Sequence, residues 1–245
     1  MPTPVAAKPK KANARAAKKL RRATVNRDKT RQRLLEIAIR LFARRGFHGV
    51  SVDDVARAAH LSKRLPYYYF GSKDRLYRAV LLEVYRRIEG IEIQAIESEK
   101  SPSEKLTALV EGYFVFLRDN PEFTRLVLWG NLENGKHFPE GLLTKLPLVH
   151  RVREIVYDGV ATGEFRHDLD IPHLLINVIG LSFIYFSNSY SLAQVLQLDL
   201  NTPSAHARAL RQIKSVLMHG IRAKSPAIAA RAAKNVAEVA RTPGG

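Results

Sequence analysis

The segment 62–70 combines residue types that suit recognition of another molecule. Two cations, Lys63 and Arg64, come first, and three consecutive aromatic residues with hydroxyl groups follow: Tyr67, Tyr68 and Tyr69. Cationic side chains bind base edges and phosphates, and phenol hydroxyls bind phosphate oxygens. Successive residues of a helix point about 100° apart, so the three tyrosines cannot all face one core. The segment therefore predicts a helix that contacts nucleic acid.

The surrounding residues predict the helices that position this segment. Apolar residues from Leu34 to Phe42 recur at helical spacing and predict a helix over about 30–45, ended by Gly46. Ser51 followed by Asp54 predicts an N-terminal capping box on a second, short helix. Ser62 is expected to cap the third helix, and a fourth helix is expected to start at Ser72. This order is typical of a helix-turn-helix.

The charge of the chain is concentrated beside this motif. The 245 residues carry a net charge of +17, and residues 1–80 alone hold 21 Lys and Arg against five Asp and Glu. Such a basic segment indicates a polyanionic partner. We expect residues 1–28 to form a disordered basic arm, whose Arg21, Arg22 and Arg27 are candidates for a DNA minor groove. A solubilising tail and a transit peptide remain alternative interpretations of the arm.

The rest of the chain predicts an all-α protein. We expect a helix-turn-helix domain over 29–73, a larger helical regulatory and dimerisation domain over 74–222, and a flexible basic tail over 223–245. Breaks between helices are expected around 101–103, 119–121, 134–135, 147, 162–172 and 199–203. The absence of cysteine excludes disulfides and thiolate chemistry, and no apolar run is long enough to span a membrane. The composition indicates a cytoplasmic protein.

Residues 31–80 resemble the N-terminal DNA-binding domain of the TetR family of bacterial transcriptional regulators. The resemblance rests on the order, spacing and residue types of the stretches 34–38, 41–47, 51–56 and 67–73. It implies DNA contacts from the helix termini and the third helix: Ser51, Lys63, Arg64, Leu65, Tyr67, Tyr68, Tyr69 and Lys73. Three residues depart from the family pattern, namely His60, Leu65 and Pro66. Pro66 is expected to remove a hydrogen bond from the third helix.

The resemblance also implies repression of transcription that a small molecule relieves, with no enzymatic activity, no cofactor and no catalytic or metal-binding residues. The expected partners are a double-stranded, near-palindromic DNA operator, a hydrophobic or aromatic small-molecule effector and a second copy of the chain. An architectural protein that binds nucleic acid without sequence preference is the alternative, because both termini are basic.

Two further sites are predicted in the helical domain. Aromatic and polar residues near the break at 134–135 are candidates for the ligand pocket: Trp129, Asn134, His137 and Phe183. The helices 172–190 and 204–222 are candidates for the dimer interface, with an apolar stripe of Leu210, Ile213, Leu217 and Ile221 on the second. The same stripe is equally suited to closing the core of a single subunit. The helix over about 72–97 is expected to link the ligand site to DNA.

Overall fold

A computed structural model describes residues 11–96, 101–140 and 147–223, with the backbone alone at 11–24, 89–96 and 147–149. In this part of the chain the helices are α1 (Lys11–Arg45), α2 (Val52–Ala58), α3 (Arg64–Phe70), α4 (Lys73–Ile96), α5 (Pro102–Asp119), α6 (Pro121–Leu132), α7 (Pro147–Ala161), α8 (Ile171–Ser187), α9 (Ser189–Leu196) and α10 (Pro203–Ile221). They confirm the all-α class. The chain divides into two compact units, 1–80 and 81–245.

The core of the first unit is built where α1 packs against α2 and α3. The apolar face of α1 is buried from Leu34 to Ala43, and Val52 and Val55 of α2 are buried as well. The ring of Phe42 meets the edge of Tyr77 with the ring centroids 4.9 Å apart. Gly46 adopts a left-handed φ of 66°, and its N–H donates to the Phe42 carbonyl at 2.8 Å. The helical periodicity and the glycine stop are therefore confirmed.

Helix α1 begins much earlier than the sequence pattern predicted. It is continuous from Lys11, so residues 11–28 continue the helix where a flexible arm was expected. Alanine, lysine and arginine, which dominate this stretch, are strong helix formers. The packed residues from Leu34 onward supply the nucleus that a helix needs, and extension from that nucleus adds one hydrogen bond per residue. Residues 1–10 of the predicted arm lie outside the described residues.

The second unit is a bundle in which α5 packs against α7, α8 and α10. Its core takes apolar residues from each of these helices, including Leu106 of α5, Val152 of α7 and Leu174 of α8. Phe165, in the turn that precedes α8, belongs to the same core. The breaks fall where prolines and polar residues predicted them. Pro102, Pro121, Pro172 and Pro203 occupy the first turn of a helix, where a missing N–H costs nothing.

The segment after residue 171 differs from the single helix predicted over 172–190. Helix α8 ends at Ser187, and α9 starts at Ser189 after a bend of 78°. In the described ranges no single helix is long and apolar enough to cross a membrane, although this bent pair passes that test together. Only one side of α8 is buried, and Ile176, Ile179 and Ile184 are exposed on the other.

The apolar stripe of α10 lies inside the subunit. Ile213, Leu217 and Ile221 are buried in the core of the second unit, and Leu210 packs against that core. Within one subunit the stripe thus packs α10 against its own chain, which is the alternative that the sequence left open, and its assignment to a dimer interface stays a prediction. On α10, the exposed large apolar residue is Val216.

Candidate nucleic-acid interface

The N-terminus of α2 is fixed by a capping box. The Ser51 hydroxyl accepts a hydrogen bond from the Asp54 N–H at 3.1 Å, and the Asp54 carboxylate accepts from the Ser51 N–H at 2.9 Å. The hydroxyl also donates to that carboxylate at 2.7 Å, and these bonds from Ser51 lower the pKa of Asp54. Ser51 is exposed. The predicted cap is confirmed.

The turn between α2 and α3 depends on a left-handed residue. His60 has a φ of 54°, a conformation that histidine tolerates better than most residues. The chain then reverses, and the Leu61 N–H donates to the Ala56 carbonyl at 3.0 Å. Lys63 reaches back across this turn, with its Nζ 2.8 Å from a carboxylate oxygen of Asp53. Its side chain nevertheless remains largely exposed.

Pro66 fits the start of α3 without losing a hydrogen bond. The helix begins at Arg64, later than predicted, and Lys63 rather than Ser62 is its N-cap. Pro66 is thus the third helical residue, where an N–H has no partner within the helix. The Ser62 carbonyl accepts from the Leu65 N–H at 3.0 Å instead. The predicted loss of a hydrogen bond is therefore wrong, and Pro66 is also buried.

The exposed face of α3 carries a cation and two phenol hydroxyls. Arg64 is exposed, and the exposed fractions of Tyr67 and Tyr68 are 49% and 65%. Tyr69 is half-buried and packs edge-on against Tyr68, with the ring centroids 5.1 Å apart. Leu65 is also half-buried. Phe70 holds the helix to the core, which leaves the opposite face free to contact DNA.

The start of α4 has features that favour phosphate binding. Gly71 has a φ of 79°, and after it the Ser72 hydroxyl accepts a hydrogen bond from the Arg75 N–H at 3.2 Å. Lys73 lies over the Phe47 ring, with its Nζ 4.5 Å from the ring centroid. A helix N-terminus beside an ammonium group favours anions. This arrangement supports the role expected for Lys73.

Arg31 lies next to the interface and was missed in the sequence. Its guanidinium carbon is 5.1 Å from the centroid of the Phe70 ring, at the end of α3. The repeat of apolar residues in α1 marks which residues face inward but does not identify the partner of an outward one. Only the packing of α1 on α3 brings Arg31 to Phe70.

The structure does not support a minor-groove arm over residues 11–28. Arg21, Arg22 and Arg27 belong to α1, and Arg27 is exposed. A helix with its side chains is about 10–12 Å across, whereas the minor groove is about 6 Å wide. As a helix, this stretch is suited to contacting the phosphates on the outside of the duplex with its basic side chains.

The predicted pocket residues are not all in the interior of the second unit. His137 is buried, and Trp129 and Phe183 are half-buried. Asn134, by contrast, is exposed in the turn after α6, with a left-handed φ of 52°. The asparagine thus serves the turn, and its assignment to a pocket stays a prediction.

Other buried polar groups, which the aromatic pattern did not reveal, lie on neighbouring helices. The hydroxyls of Thr124 on α6 and Ser182 on α8 are buried and have no hydrogen-bond partner among the described residues. Burial raises the pKa of Tyr85 on α4 to about 12, and burial also raises the pKa of Tyr113 on α5. All four groups are hydroxyls, so they can both donate and accept hydrogen bonds.

Comparison with known proteins agrees with this arrangement. Residues 34–80 match "Bacterial regulatory proteins, tetR family", and residues 102–217 match "Tetracyclin repressor-like, C-terminal domain". The transcriptional repressor NicS of Pseudomonas putida is 30% identical over 198 residues, which cover 80% of this chain and 93% of NicS. Fold and interface thus define a helix-turn-helix transcriptional regulator. The chain belongs to the TetR family of bacterial transcriptional regulators, and it is not an enzyme.

Two further relatives show the range of the family. The transcriptional activator FasR of Mycolicibacterium smegmatis is 35% identical over 102 residues, covering 41% of this chain and 46% of FasR. The solved structure of the ketosteroid transcriptional regulator KstR2 of Mycobacterium tuberculosis superposes with a TM-score of 0.62 at 19% identity, covering 79% of this chain and 95% of that one. The second likeness concerns the fold alone.

Proposed function

We propose that the protein is a homodimeric repressor that binds a near-palindromic operator and is released by a small molecule. The observation that carries this proposal is the exposed face of α3 with Arg64, Tyr67 and Tyr68, together with the capped starts of α2 at Ser51 and of α4 at Ser72. Arg64 is suited to reading a base edge, while the hydroxyls and helix termini fix the register on phosphates. The similarity to NicS favours repression over activation.

A dimer is proposed because one subunit leaves a large apolar surface uncovered. Three isoleucines of α8, Val216 of α10 and four apolar residues over 190–198 are exposed. Soluble monomers rarely expose contiguous apolar patches beyond a few hundred Å². A twofold dimer places its two α3 helices in successive major grooves, so the half-sites lie about 34–36 Å apart or a multiple of that.

The DNA-binding part is tested by selecting sites from random duplexes and measuring the affinity for the best site at several salt concentrations. A repressor of this kind selects an inverted repeat and binds it at least about 10³-fold more tightly than random DNA. Equal affinity for all sequences at every salt concentration would support the architectural alternative, in which binding rests on counterion release alone.

The effector is proposed to be a largely apolar, uncharged molecule with groups that form hydrogen bonds. Trp129 and Phe183 offer apolar surface, and His137, Thr124 and Ser182 offer buried polar atoms. A buried hydroxyl without a partner costs about 1–3 kcal/mol, which a ligand hydroxyl or carbonyl would recover. Apolar side chains with a few polar groups among them are the residue types that line small-molecule sites.

Helix α4 is proposed to couple the effector to DNA. Its first turn carries Lys73, and further along the same helix Tyr85 packs against Phe123 and Phe138, with ring centroids 5.3 and 6.1 Å away. A ligand that shifts these rings can act on DNA only by binding the DNA-competent arrangement less tightly than the other. A thermal-shift screen of metabolites, followed by operator-release assays on the hits, tests this. A ligand that stabilises the protein without changing operator affinity would contradict the coupling.

A further inference from the structure

The N-terminal part of α1 precedes the residues that build the core. Among the described side chains of α1, burial begins at Leu34, whereas residues 25–29 are all exposed. The helix nevertheless starts at Lys11. At 1.5 Å per residue, the stretch 11–30 places about 30 Å of helix in front of the packed part. This stretch is the α1 extension.

The composition of the α1 extension suits a polyanionic partner. It contains four lysines and four arginines but a single acidic residue, Asp28. Its only apolar residues larger than alanine are Leu20 and Val25. A helix that binds a membrane surface carries large apolar residues along one face, and a helix that packs on a protein needs an apolar stripe. The extension offers positive charge instead.

The spacing of the cations also indicates a polyanion. Lys11, Arg15, Lys18, Lys19 and Arg22 follow one another at intervals of three or four residues, and no acidic residue lies among them. Like charges at these intervals destabilise a helix, whereas alanine and the long unbranched side chains favour one. A polyanion beside the helix removes the repulsion and leaves the helix propensity in place.

The extension joins the first unit at the edge where phosphate contacts are expected. Arg31 directly follows the extension, is exposed and lies over the Phe70 ring at the end of α3, with 5.1 Å between its guanidinium carbon and the ring centroid. The Phe70 carbonyl accepts a hydrogen bond from the Ser72 N–H at 2.9 Å, so the start of α4 with Lys73 adjoins the same point. A duplex bound at this edge passes close to the beginning of the extension.

We propose that the α1 extension binds the DNA backbone outside the inverted repeat, so that the binding site of the protein includes flanking duplex of any sequence. This inference rests on the proposed operator-binding dimer and adds a further contact to it. Phosphates are the same at every base pair, so cations that bind them do not select a sequence. A helix of about 30 Å laid along the duplex spans about nine base pairs at 3.4 Å each.

Repulsion between the two subunits favours the outward direction. In a twofold dimer that binds successive major grooves, the centres of the half-sites lie about 34–36 Å apart. Two extensions of about 30 Å that both ran inward would share this interval, although each carries eight basic residues and one acidic residue. Outward extensions lie on separate stretches of duplex, each with one negative charge per about 1.7 Å. The two flanks of the repeat are therefore the partner that we assign.

The length of the duplex tests this contact. The inverted repeat selected from random DNA is prepared without flanks and with flanks of about 5, 10 and 15 base pairs of arbitrary sequence on each side. The affinity of the wild type should rise at least about tenfold up to flanks of about ten base pairs and then level off, because the extension is then fully covered. Each added phosphate contact should steepen the slope of log affinity against log salt concentration by about 0.9.

A variant without four of the cations isolates the extension. The variant is Lys18→Gln/Lys19→Gln/Arg21→Gln/Arg22→Gln. Glutamine is a comparable helix former, so the helix is kept while most of the gain from the flanks should be lost. The matched control removes the same charge near the other end of the chain, in Lys224→Gln/Arg231→Gln/Lys234→Gln/Arg241→Gln. The control should keep the gain, and both variants should bind the unflanked repeat alike.

Trypsin gives an independent readout of the contact, because it cleaves after lysine and arginine. The peptide bonds after Lys18, Lys19, Arg21 and Arg22 should be protected in the wild type by the flanked duplex but not by the unflanked repeat. A gain of affinity without this protection would place the contact elsewhere in the chain and overturn the proposal.

The outcomes separate this inference from the proposed function. A protein that selects no inverted repeat overturns the proposed operator binding, and this inference with it. A selected repeat whose affinity is independent of flank length, or a four-cation variant that keeps the full gain, overturns only the role of the α1 extension. A gain that depends on the flank sequence also overturns it, because the extension would then read bases. Phosphatidylglycerol vesicles that bind the wild type but not the variant, with no effect of flanks, would assign the extension to a membrane surface.

Discussion

At the scale of single residues, Ser51 stabilises the fold at a position that we propose to contact DNA. Its hydroxyl caps α2, and removing such a cap costs about 1 kcal/mol. Ser51→Ala should therefore lower the free energy of unfolding by about 1 kcal/mol in urea titrations at pH 7. Ser51→Thr is the control, because threonine keeps the cap, and it should retain most of that stability.

The loss of stability caused by Ser51→Ala should depend on pH. The bonds from Ser51 lower the pKa of Asp54, so the ionised carboxylate stabilises the fold above the unfolded pKa of about 4, and this contribution is lost as pH falls through the lower, folded pKa. The difference in unfolding free energy between wild type and Ser51→Ala should therefore shrink as pH falls below about 4. A difference that stays constant down to pH 2 would show that the carboxylate has no part in the cap.

Arg64 is the residue from which we expect most of the base discrimination. If its guanidinium makes a bidentate contact with guanine, Arg64→Ala should cost about 1–3 kcal/mol on the operator, which is about 5- to 150-fold in affinity. Binding to random DNA should weaken far less, because one phosphate contact at most is lost. Fluorescence anisotropy on both duplexes measures the two effects. Arg125→Ala, a change of an equally exposed arginine on α6, should alter neither.

At the scale of elements, the turn before α8 is held by the close packing of Phe165 on Gly159 and by backbone hydrogen bonds. Phe165 is buried, its N–H donates to the Gly159 carbonyl at 2.9 Å, and a Cβ on Gly159 would lie 2.1 Å from its ring. The ring cannot retreat, because the backbone beside it is fixed by two hydrogen bonds to the end of α10, from Arg166 to Ile221 and from Ala223 to Glu164.

Gly159→Ala should therefore destabilise the second unit by about 1–3 kcal/mol, the usual cost of overpacking. Gly49→Ala would be a poor control because its Cβ meets the Arg45 carbonyl. The better comparison is Ala161→Gly, at an exposed position of the same helix, which should cost at most about 1 kcal/mol. Thermal unfolding of the wild type, Gly159→Ala and Ala161→Gly tests whether Gly159→Ala loses the most stability. An unchanged unfolding temperature of Gly159→Ala would mean that the turn adapts to the added methyl group.

The elements also show what the sequence could and could not predict. Caps, prolines and glycine stops act through their own neighbours, so the starts of α2, α5 and α10 were predictable to within a few residues. The burial of Leu217 was not predictable, because an apolar stripe looks the same whether it faces its own subunit or a partner. The pairing of Arg31 with Phe70 and the burial of Thr124 and Ser182 likewise depend on tertiary packing, which periodicity does not encode. The helix over 11–28 was not predicted because these residues offer almost no apolar surface to bury, whereas the helix extends from the packed part of α1 through helix propensity.

At the scale of the whole molecule, the charge distribution assigns one task to each unit. Residues 1–80 carry a net charge of +16, whereas residues 81–221 hold 14 basic and 17 acidic residues. Attraction to DNA therefore comes from the first unit, and the proposed ligand site and the proposed partner surface both lie in the second. Residues 1–26 contribute eight of the basic residues and no acidic one.

Deleting residues 1–26 should weaken binding to all DNA sequences alike. Each phosphate contact that is lost reduces the slope of log affinity against log salt concentration by about 0.9, because fewer counterions are released on binding. The ratio of specific to random affinity should stay constant, since α3 is untouched and a helix as wide as α1 does not enter the minor groove. Titrations of wild type and the deletion variant on operator and random duplexes between 50 and 300 mM salt measure both quantities. A changed ratio would mean that the segment reads bases, and an unchanged slope would mean that its charge serves solubility alone.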